Sequence, residues 1–381
     1  MSEQNGYEID LLPVGDGEKS GDAIAVRYGN ATHGYKVMVV DGGTRESGKK
    51  LVEHIKTHYN TTVVDYMVCT HPDNDHSSGL REVIDELTVK ELWIHNPSKY
   101  NSHVFDFIKD GRVTPNSVMT TMQKSLSTAH ELADMAKEKG IPVYEPLQGS
   151  QIGAFTVLSP SLDLYKTLLA EEYGDTTERN VESLMDMISK ALDSVAETVV
   201  NAVANLIPES WDIETLRENG KTRPMNETSV VMYANIAEKG VLLTGDAGLR
   251  ALTGAADYAD TVGIPIGQLR FIQIPHHGSR KNVSPSLLNR LIGDPIGQDG
   301  TRDDNLSAFV SASSGSSTHP RKVVTNAFRR RGAKVYGTLG QTIHHRHNMP
   351  GRDGWGAIDQ IPFHNQVESY EKSANKSAAA A

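Results

Sequence analysis

Hydrophobic and polar residues along this chain predict short strands separated by helices. Short stretches rich in β-branched and apolar residues, bounded by turn-forming residues, are typical of strands. They cover residues 23–28, 36–40, 63–70, 89–94, 154–158, 229–234, 241–244, 271–274, 308–311 and 334–337. Helices are predicted over 50–58 and 117–139. Two runs of strands with interleaved helices predict an α/β fold, in which two sheets pack face to face with helices outside.

Residues 161–222 interrupt this pattern. Apolar residues recur there at alternating steps of four and three, which is typical of a helical stripe of heptad type. The stripe consists of Ile188, Leu192, Val195, Val199, Ala202 and Leu206. We expect Pro208 to end this helix. The stripe could pack on its own domain, or it could form an interface with a second copy or a partner protein.

The domain organisation follows from these patterns. We predict one domain over residues 1–366, interrupted by a helical insertion at 161–222. The polar segment 367–381, which ends in a run of alanines, is predicted to be a disordered tail.

Composition narrows the class of protein. Hydrophobic residues make up 38% of the chain and charged residues 23%, which is ordinary for a globular protein. No apolar run approaches the roughly 20 residues that cross a membrane, and the start of the chain lacks the features of a signal peptide. The single cysteine, Cys69, excludes an internal disulfide. We therefore expect a cytoplasmic protein without a membrane segment, whose metal ligands are His, Asp, Glu or Asn.

Charge is distributed unevenly. The chain carries a formal net charge of −10. Residues 161–220 hold 13 acidic and 4 basic residues, whereas residues 301–350 hold 8 basic and 2 acidic residues. A basic face can therefore exist on an acidic protein, and an anionic substrate remains compatible with the sequence.

The segment after the strand at 63–70 carries the strongest chemical signal. His71, Asp73, Asp75 and His76 lie within six positions, in a predicted strand-to-helix loop. On alternating positions His71 and Asp73 can face one ion, while Asp75 and His76 turn toward another. Aspartates this close together repel each other, so the cluster favours bound cations. The spacing predicts a two-metal site.

This segment resembles the His-x-His-x-Asp-His signature of the metallo-β-lactamase superfamily, with Asp73 at the second His. The variant is similar to the hydrolase domain of the ComEC competence proteins and to phosphorylcholine esterases. Further segments resemble superfamily elements in the same order, namely Asp41-Gly42-Gly43, Asn226-Glu227-Thr228-Ser229, Leu242 to Ala247, Ile274 to Ser279, and Ser317 to Pro320. The resemblance implies the αββα sandwich of that superfamily.

The resemblance also implies roles for individual residues. Asp246 is expected to bridge two ions, and His277, which precedes a glycine, to be the last ligand. His276 is expected to reach the substrate, although the two histidines could exchange roles. His319 is expected to act beside His276, or to be only a loop residue. The metal ligands implied are His71, Asp73, Asp75, His76, Asp246 and His277, and the catalytic groups are Asp75, His276 and His319.

One departure from the superfamily concerns Asn226. Other branches have a further histidine in this region, so the first ion would be held more weakly or by more water. Three histidines and three aspartates form a harder ligand set than a histidine-rich one, so manganese fits the two divalent sites as well as zinc. Two such ions activate water and bind the oxygens that gain charge during phosphodiester cleavage.

The resemblance to the ComEC domain implies a DNA nuclease, and a stand-alone nuclease of this type could be an effector of bacterial defence. A small-molecule phosphodiesterase is one alternative. A regulated subunit of a larger assembly, with the insertion helix as its interface, is another. Basic residues after His319 could hold a nucleic-acid backbone, or form a solvated helix face. The predicted substrate contacts are Asn226, Ser279, Arg280, Lys281, Arg329 and Arg330.

Overall fold

The computed structural model describes residues 5–17, 20–107, 122, 126–174 and 206–370. The strands in this part of the chain are β1 (Gly6–Leu11), β2 (Ala23–Asn30), β3 (Gly34–Gly42), β4 (Val63–Val64), β5 (Tyr66–Val68), β6 (Thr88–Val89), β7 (Leu92–Trp93), β8 (Val143–Tyr144), β9 (Gln151–Ile152), β10 (Phe155–Ser159), β11 (Leu206–Pro208), β12 (Val231–Ile236), β13 (Lys239–Leu243), β14 (Leu269–Gln273), β15 (Ser307–Val310), β16 (Lys334–Gly337), β17 (Ile343–His347) and β18 (Gln366–Glu368). The helices are α1 (Arg45–His54), α2 (Asn74–Ser77), α3 (Leu80–Glu86), α4 (Asn101–Phe107), α5 (Ser127–Glu138), α6 (Leu162–Gly174), α7 (Pro224–Glu227), α8 (Leu249–Val262), α9 (Pro285–Ile292) and α10 (Lys322–Arg330).

Two seven-stranded sheets form the centre of the described structure. The first has the order β17-β1-β2-β3-β5-β7-β8, and the second has the order β16-β15-β14-β13-β12-β10-β9. In the first sheet, β3, β5, β7 and β8 run parallel to one another. In the second, β13 to β16 run parallel. Since side chains alternate between the two faces of a strand, each sheet has two faces to bury.

The inner faces pack against each other. Tyr7, Ile9 and Leu11 alternate along β1 and meet Phe271 and Phe309 of the second sheet in one buried cluster. The residues between them in β1 point to the opposite face. Aromatic and aliphatic side chains that repeat with a period of two therefore pack between the two sheets.

Helices cover both outer faces. On the first sheet, α1, α3 and α5 contribute Leu51, Val83 and Leu132 to a cluster with its outward-facing residues. On the second sheet, α8, α9 and α10 contribute Leu252, Leu288, Val324 and Phe328 to another. The chain therefore has the predicted arrangement of four layers, helix, sheet, sheet and helix.

The predicted insertion differs from the structure where it is described. Residues 162–174 form α6, but Leu206 begins a strand, β11, which pairs with β18 near the end of the chain. The prediction that Leu206 belongs to the helical stripe was therefore wrong. The other stripe residues, from Ile188 to Ala202, lie outside the described residues, and so does the proposed interface.

The predicted start of the tail was also wrong. Val367 is fully buried in β18, because this strand packs beside α10. Residues 371–381 lie outside the described part of the chain. Within the part that is described, none of the helices combines the length and the apolar character that crossing a membrane requires.

Candidate metal centre

The predicted ligands come together at one edge of the two sheets. His71, Asp73, Asp75 and His76 lie on the loop after β5 and in the short helix α2 that follows it. Asp246 follows β13, and His277 follows β14. Since β5, β13 and β14 all end here, six positions that span more than 200 residues of sequence converge on one site.

Asp246 lies at the centre of this site. The Nε2 atom of His76 is 3.4 Å from its Oδ1, and that of His277 is 3.8 Å from the same oxygen. The Nε2 atoms of His71 and His276 are 3.8 and 3.6 Å from Oδ2. Four imidazoles therefore point the same ring nitrogen at one buried carboxylate, two at each oxygen. This arrangement suits a carboxylate that bridges two cations.

The other ring nitrogen of each histidine has a partner in the protein. Nδ1 of His76 lies 2.9 Å from Asp41 Oδ2, and Nδ1 of His277 lies 3.0 Å from the carbonyl of Ser311. Nδ1 of His276 is 2.9 Å from Asn282 Oδ1. In metal sites such contacts fix the tautomer, so that Nε2 is the nitrogen available to bind a cation. Nε2 of His276 also lies 3.4 Å from the amide nitrogen of Asn226.

Several buried atoms of this cluster fit a metal. Among the described residues, His71 Nε2, His76 Nε2 and Asp246 Oδ1 are buried and have no hydrogen-bond partner. Buried polar atoms without a partner are costly, so this concentration at one point indicates a ligand that the protein side chains themselves do not supply. Imidazole nitrogen and carboxylate oxygen are donors that zinc and manganese accept.

Three sets of donor atoms lie within 4.8 Å of one another and could each hold an ion: Asp75, His76 and His277; Asp22, Asp246 and His277; and Asp41, His71 and His76. The first set contains only predicted ligands. In the third, both oxygens of Asp41 already accept hydrogen bonds from Thr70, and one also faces His76. We therefore assign Asp41 to positioning His76.

Charges inside the site oppose each other strongly. Burial disfavours a protonated His76, but the carboxylates of Asp246 and Asp41 outweigh it and hold the pKa of His76 well above its usual value. Burial likewise opposes the charge of Asp246, yet His276, His76 and His277 keep its pKa well below the usual range. Burial lowers the pKa of His277 to about 3 and that of His319 to about 3. The site thus concentrates negative charge that positive groups must balance.

Backbone packing holds the ligand loop in place. A Cβ atom on Gly42 or Gly79 would overlap the backbone of the other segment, so only glycine permits their close approach. The Gly43 amide donates to the carbonyl of His76, and the Gly79 amide donates to the carbonyl of Gly43. The Asp-Gly-Gly turn predicted to be a superfamily element is therefore in direct contact with the loop that carries four of the ligands.

The backbone of the histidine pair is also unusual. His276 and His277 have φ angles of 48° and 56°, a left-handed conformation that residues other than glycine rarely adopt. Such strain, on the order of 1–3 kcal/mol per residue, persists mainly where function requires it. This turn brings both rings against Asp246 from the end of β14.

Three predicted substrate contacts have other partners. The Asn226 amide donates to Asp246 Oδ2 at 3.0 Å, so Asn226 positions the central carboxylate rather than reaching outward. Ser279 is buried. The Arg280 guanidinium donates to the carbonyls of Glu368 and Ser369 and stacks on the Tyr370 ring. Lys281 is exposed near the site and stays a predicted contact.

The structure contradicts one of the two predicted contacts in α10. Arg330 is 1% exposed and forms an ion pair with Glu209 at 2.9 Å. Arg329 donates to the carbonyl of Ile361. Both side chains are used within the fold, because residues 206–216 and the C-terminal segment pack against α10. Arg330 therefore cannot also hold a nucleic-acid backbone, whereas Arg329 is half-buried and stays a predicted contact.

Sequence reasoning missed two residues of the site. Asp22 is 2% exposed and its Oδ2 lies 3.7 Å from His76 Nδ1. Burial raises the pKa of Asp22 to about 8. The charge of His76 opposes this rise, and the nearby carboxylates add to it. Arg223 lies 3.5 Å from Asp73 Oδ2 and is anchored by Glu172. Asp22 ends a glycine-rich loop, and this loop could have indicated that Asp22 belongs to the site. No local sequence pattern indicates that Arg223 does.

The order of the ligands and the sheet edge that carries them invite comparison with known proteins. Residues 17–114 match the metallo-beta-lactamase superfamily. The matched segment contains β2, β3, the Asp-Gly-Gly turn and the whole ligand loop. The chain has the metallo-β-lactamase fold, with His and Asp groups positioned for metal binding. These findings identify a metal-dependent hydrolase.

Three solved structures are similar to this chain over most of its length, at low sequence identity. A diphosphatase from the PhnP family is 8% identical, with a TM-score of 0.40 over 90% of this chain and 98% of that chain. A long form RNase Z from yeast is 11% identical, with a TM-score of 0.38 over 90% and 42%. The metallo-β-lactamase SMB-1 is 11% identical, with a TM-score of 0.31 over 71% and 83%. The search of curated proteins found no match.

Proposed function

We propose that this centre hydrolyses phosphodiesters with two divalent cations, zinc or manganese. The observation that carries the proposal is the convergence of four imidazole Nε2 atoms on Asp246, with Asp73 and Asp75 at either side. When bound, two such cations lower the pKa of a water molecule and bind oxygens that gain charge in the transition state.

The ligands divide between the two oxygens of Asp246. Asp75, His76 and His277 would hold one ion with Oδ1, and His71 and Asp73 would hold the other with Oδ2. His276 Nε2 lies on the Oδ2 side, 3.6 Å from that oxygen. We therefore revise its role from substrate contact to a ligand that completes the set of His71 and Asp73, where the sequence suggested a missing histidine.

Groups of the chain itself can orient the substrate. The Arg223 guanidinium is half exposed beside Asp73, and its planar donors suit the unesterified oxygens of a phosphodiester. His319 lies beside His276, with ring centroids 6.4 Å apart. It is placed to donate a hydrogen bond to the leaving oxygen on the open side of the site.

A groove beside His319 supports a long substrate. It has a volume of about 700 Å³ and is lined by Lys322, Gln341, Gln360 and His364, among other residues. Among its described lining residues there is no Phe, Tyr or Trp, which a pocket for a choline group would need. The groove also contains Asp359, Glu368 and several aliphatic residues, so its lining argues against a choline site but its charge does not select DNA. The choice of DNA rests on the resemblance to the ComEC hydrolase domain. An effector role in bacterial defence is the cellular function that would follow.

The experiment compares the wild-type protein with Asp246→Asn. Both are loaded with manganese or zinc and given single-stranded DNA, double-stranded DNA, RNA and bis-(p-nitrophenyl) phosphate. We expect the variant to lose about 100-fold or more of its activity and part of its metal content, because its bridging charge is gone. Asp257→Asn, which changes an exposed carboxylate on α8, is the matched control.

Two results would contradict the proposal. Undiminished cleavage by Asp246→Asn would mean that the reaction occurs elsewhere. Hydrolysis of bis-(p-nitrophenyl) phosphate without cleavage of any nucleic acid would favour the small-molecule phosphodiesterase over the nuclease. Elemental analysis of both proteins separates loss of metal from loss of substrate binding.

A further inference from the structure

A second pocket lies at the opposite end of the second sheet from the metal centre. It has a volume of about 430 Å³, within the range of small-molecule sites. Its floor includes Arg270, Ser307 and Lys334, which stand at or next to the starts of the neighbouring parallel strands β14, β15 and β16. The end of β17 and the segment that follows it complete the wall.

The two sites are well separated. Arg270 stands near the start of β14, whereas the metal-facing His276 follows its end, six residues later. At about 3.3 Å per residue, this corresponds to roughly 20 Å. A molecule in the pocket would therefore not contact the metal ligands.

The pocket is cationic. Four arginine or lysine side chains line it, namely Arg270, Lys334, Arg346 and Arg352, while the described residues lining it include no Asp or Glu. Arg352 is neutralised from beneath by Glu8 and Asp10. Within the described structure, no carboxylate lies within ion-pair distance of the other three cations.

The side chains of Arg270 and Lys334, which have no carboxylate partner in the described structure, donate hydrogen bonds to neutral groups. Arg270 donates to the carbonyls of Asp304 and Asn305, and Lys334 donates to the side chain of Asn305. The nearby Asp304 carboxylate is engaged by Arg302. Carbonyl and amide partners position a cation without cancelling its charge. In a protein with a net charge of −10, this is a local concentration of positive potential.

We propose that this pocket binds a phosphorylated small molecule, whose phosphate is held by Arg270, Lys334 and Arg346. Guanidinium and ammonium groups are the side chains that bind phosphate oxygens most strongly. The half-buried rings of Tyr336 and Trp355 line the same pocket and offer surfaces for a planar base. A nucleotide would use both features, and a free phosphate or pyrophosphate would use only the cations. The proposal does not depend on the reaction at the metal centre.

Calorimetric titration tests the proposal with two hydrolysis-resistant probes, α,β-methylene-ADP and methylenediphosphonate. The pocket variant is Lys334→Gln with Arg346→Gln, and Lys137→Gln with Arg45→Gln removes the same charge from exposed positions elsewhere. We expect one probe molecule to bind per chain, at least 10-fold more weakly to the pocket variant than to the control. Tighter binding of α,β-methylene-ADP than of methylenediphosphonate would identify a nucleotide site, and equal binding a phosphate site.

The metal centre could itself bind these probes, so Asp246→Asn is titrated in parallel. Binding that survives in Asp246→Asn and is lost in the pocket variant supports the proposal. Binding lost only in Asp246→Asn, equal binding by the pocket variant and its control, or no binding of either probe would overturn it. Thermal unfolding without ligand checks that the pocket variant folds, and the single exposed change Lys334→Gln provides a milder second test.

Discussion

The Asp41 carboxylate determines how His76 is oriented. It accepts hydrogen bonds from the Thr70 amide at 2.7 Å and the Thr70 hydroxyl at 2.6 Å, and its Oδ2 lies 2.9 Å from His76 Nδ1. With Nδ1 donating to Asp41, Nε2 of His76 faces Asp246 and can bind a cation once it has lost its proton. A carboxylate behind a ligating histidine also makes the imidazole a better donor to a cation.

Asp41→Asn should therefore weaken metal binding. In either orientation the new amide N–H₂ would face a buried donor of Thr70 or His76, and the negative charge behind His76 would be lost. We expect metal affinity to fall by about 10- to 100-fold. Competition with a chromophoric chelator measures this affinity directly.

The control for this prediction is Asp65→Asn. Asp65 is also a buried aspartate that accepts a backbone hydrogen bond, but it pairs with Lys36 and Lys90 away from the site. Equal metal affinity in Asp41→Asn and wild type would show that Asp41 does not position His76.

At the scale of elements, α10 is held by the chain that returns from residues 206–216. The Arg330 guanidinium pairs with Glu209 and also donates to the carbonyls of Trp211 and Ile213. The side chains of Arg330 and Glu209 are 1% and 0% exposed. This buried pair links α10 to β11, which in turn pairs with β18.

Replacing Arg330 with Met should destabilise the fold. Glu209 would keep a buried charge without its main partner, although Thr215 and Asn326 still donate to it. Breaking a buried ion pair from one side costs about 3–5 kcal/mol. Urea unfolding of Arg330→Met, with the exposed Arg45→Met as control, measures the loss.

The double variant Arg330→Met with Glu209→Gln separates charge from packing. It should recover part of the lost stability, because the uncompensated charge is gone. Hydrolysis of a small phosphodiester at low temperature should persist in all these variants. Unchanged stability in Arg330→Met would show that the buried pair does not hold α10 in place.

The elements that the sequence predicted differ from the elements that it missed in how they bury polar groups. The ligand loop was predictable because a buried strand leads directly into four ligands. The close contact between Gly42 and Gly79 also requires glycine at both positions. β1 and β17 were missed because their outer faces are charged. Glu8 and Asp10 of β1 pair with Arg352 and with His344 of β17, and such pairing joins residues more than 300 positions apart. Local patterns cannot reveal it.

The same limit explains the misread basic stretch. Arg329, Arg330 and Arg331 resemble an exposed cationic helix end when only neighbours are considered. Arg331 is 1% exposed and pairs with Glu214 at 2.9 Å. Its partner lies in the acidic segment that was read as a separate insertion. Segments of opposite charge in one chain can therefore indicate an internal contact as readily as an anionic ligand.

On the scale of the whole molecule, the two proposed sites occupy opposite ends of the second sheet. Asp246 and His276 follow β13 and β14, while Arg270 and Lys334 stand near the starts of β14 and β16. One end concentrates carboxylates that need cations, and the other concentrates cations that face solvent. Parallel strands allow this separation, because all their carboxyl ends meet at the same edge.

Buried neutral histidines should make the stability of the whole molecule depend on pH. His95 is 6% exposed and stacks on Tyr165, with ring centroids 4.3 Å apart. Burial lowers the pKa of His95 to about 3, from the ordinary value of 6.5. Between those two pH values the unfolded chain binds a proton at His95 that the folded chain does not. The free energy of unfolding must therefore fall as the pH is lowered through this range.

His95→Gln should remove this contribution. Near pH 5 one such histidine changes the free energy of unfolding by about 1.4 kcal/mol per pH unit, so the variant should show a shallower dependence than wild type by about that amount. Urea unfolding from pH 7 to pH 4.5, in excess chelator so that metal release adds nothing, measures both slopes. The exposed His33→Gln should keep the wild-type slope, because its imidazole is in contact with water in both states. Identical slopes for wild type and His95→Gln would mean that the folded protein admits a proton at His95, and that the stack on Tyr165 opens at acidic pH.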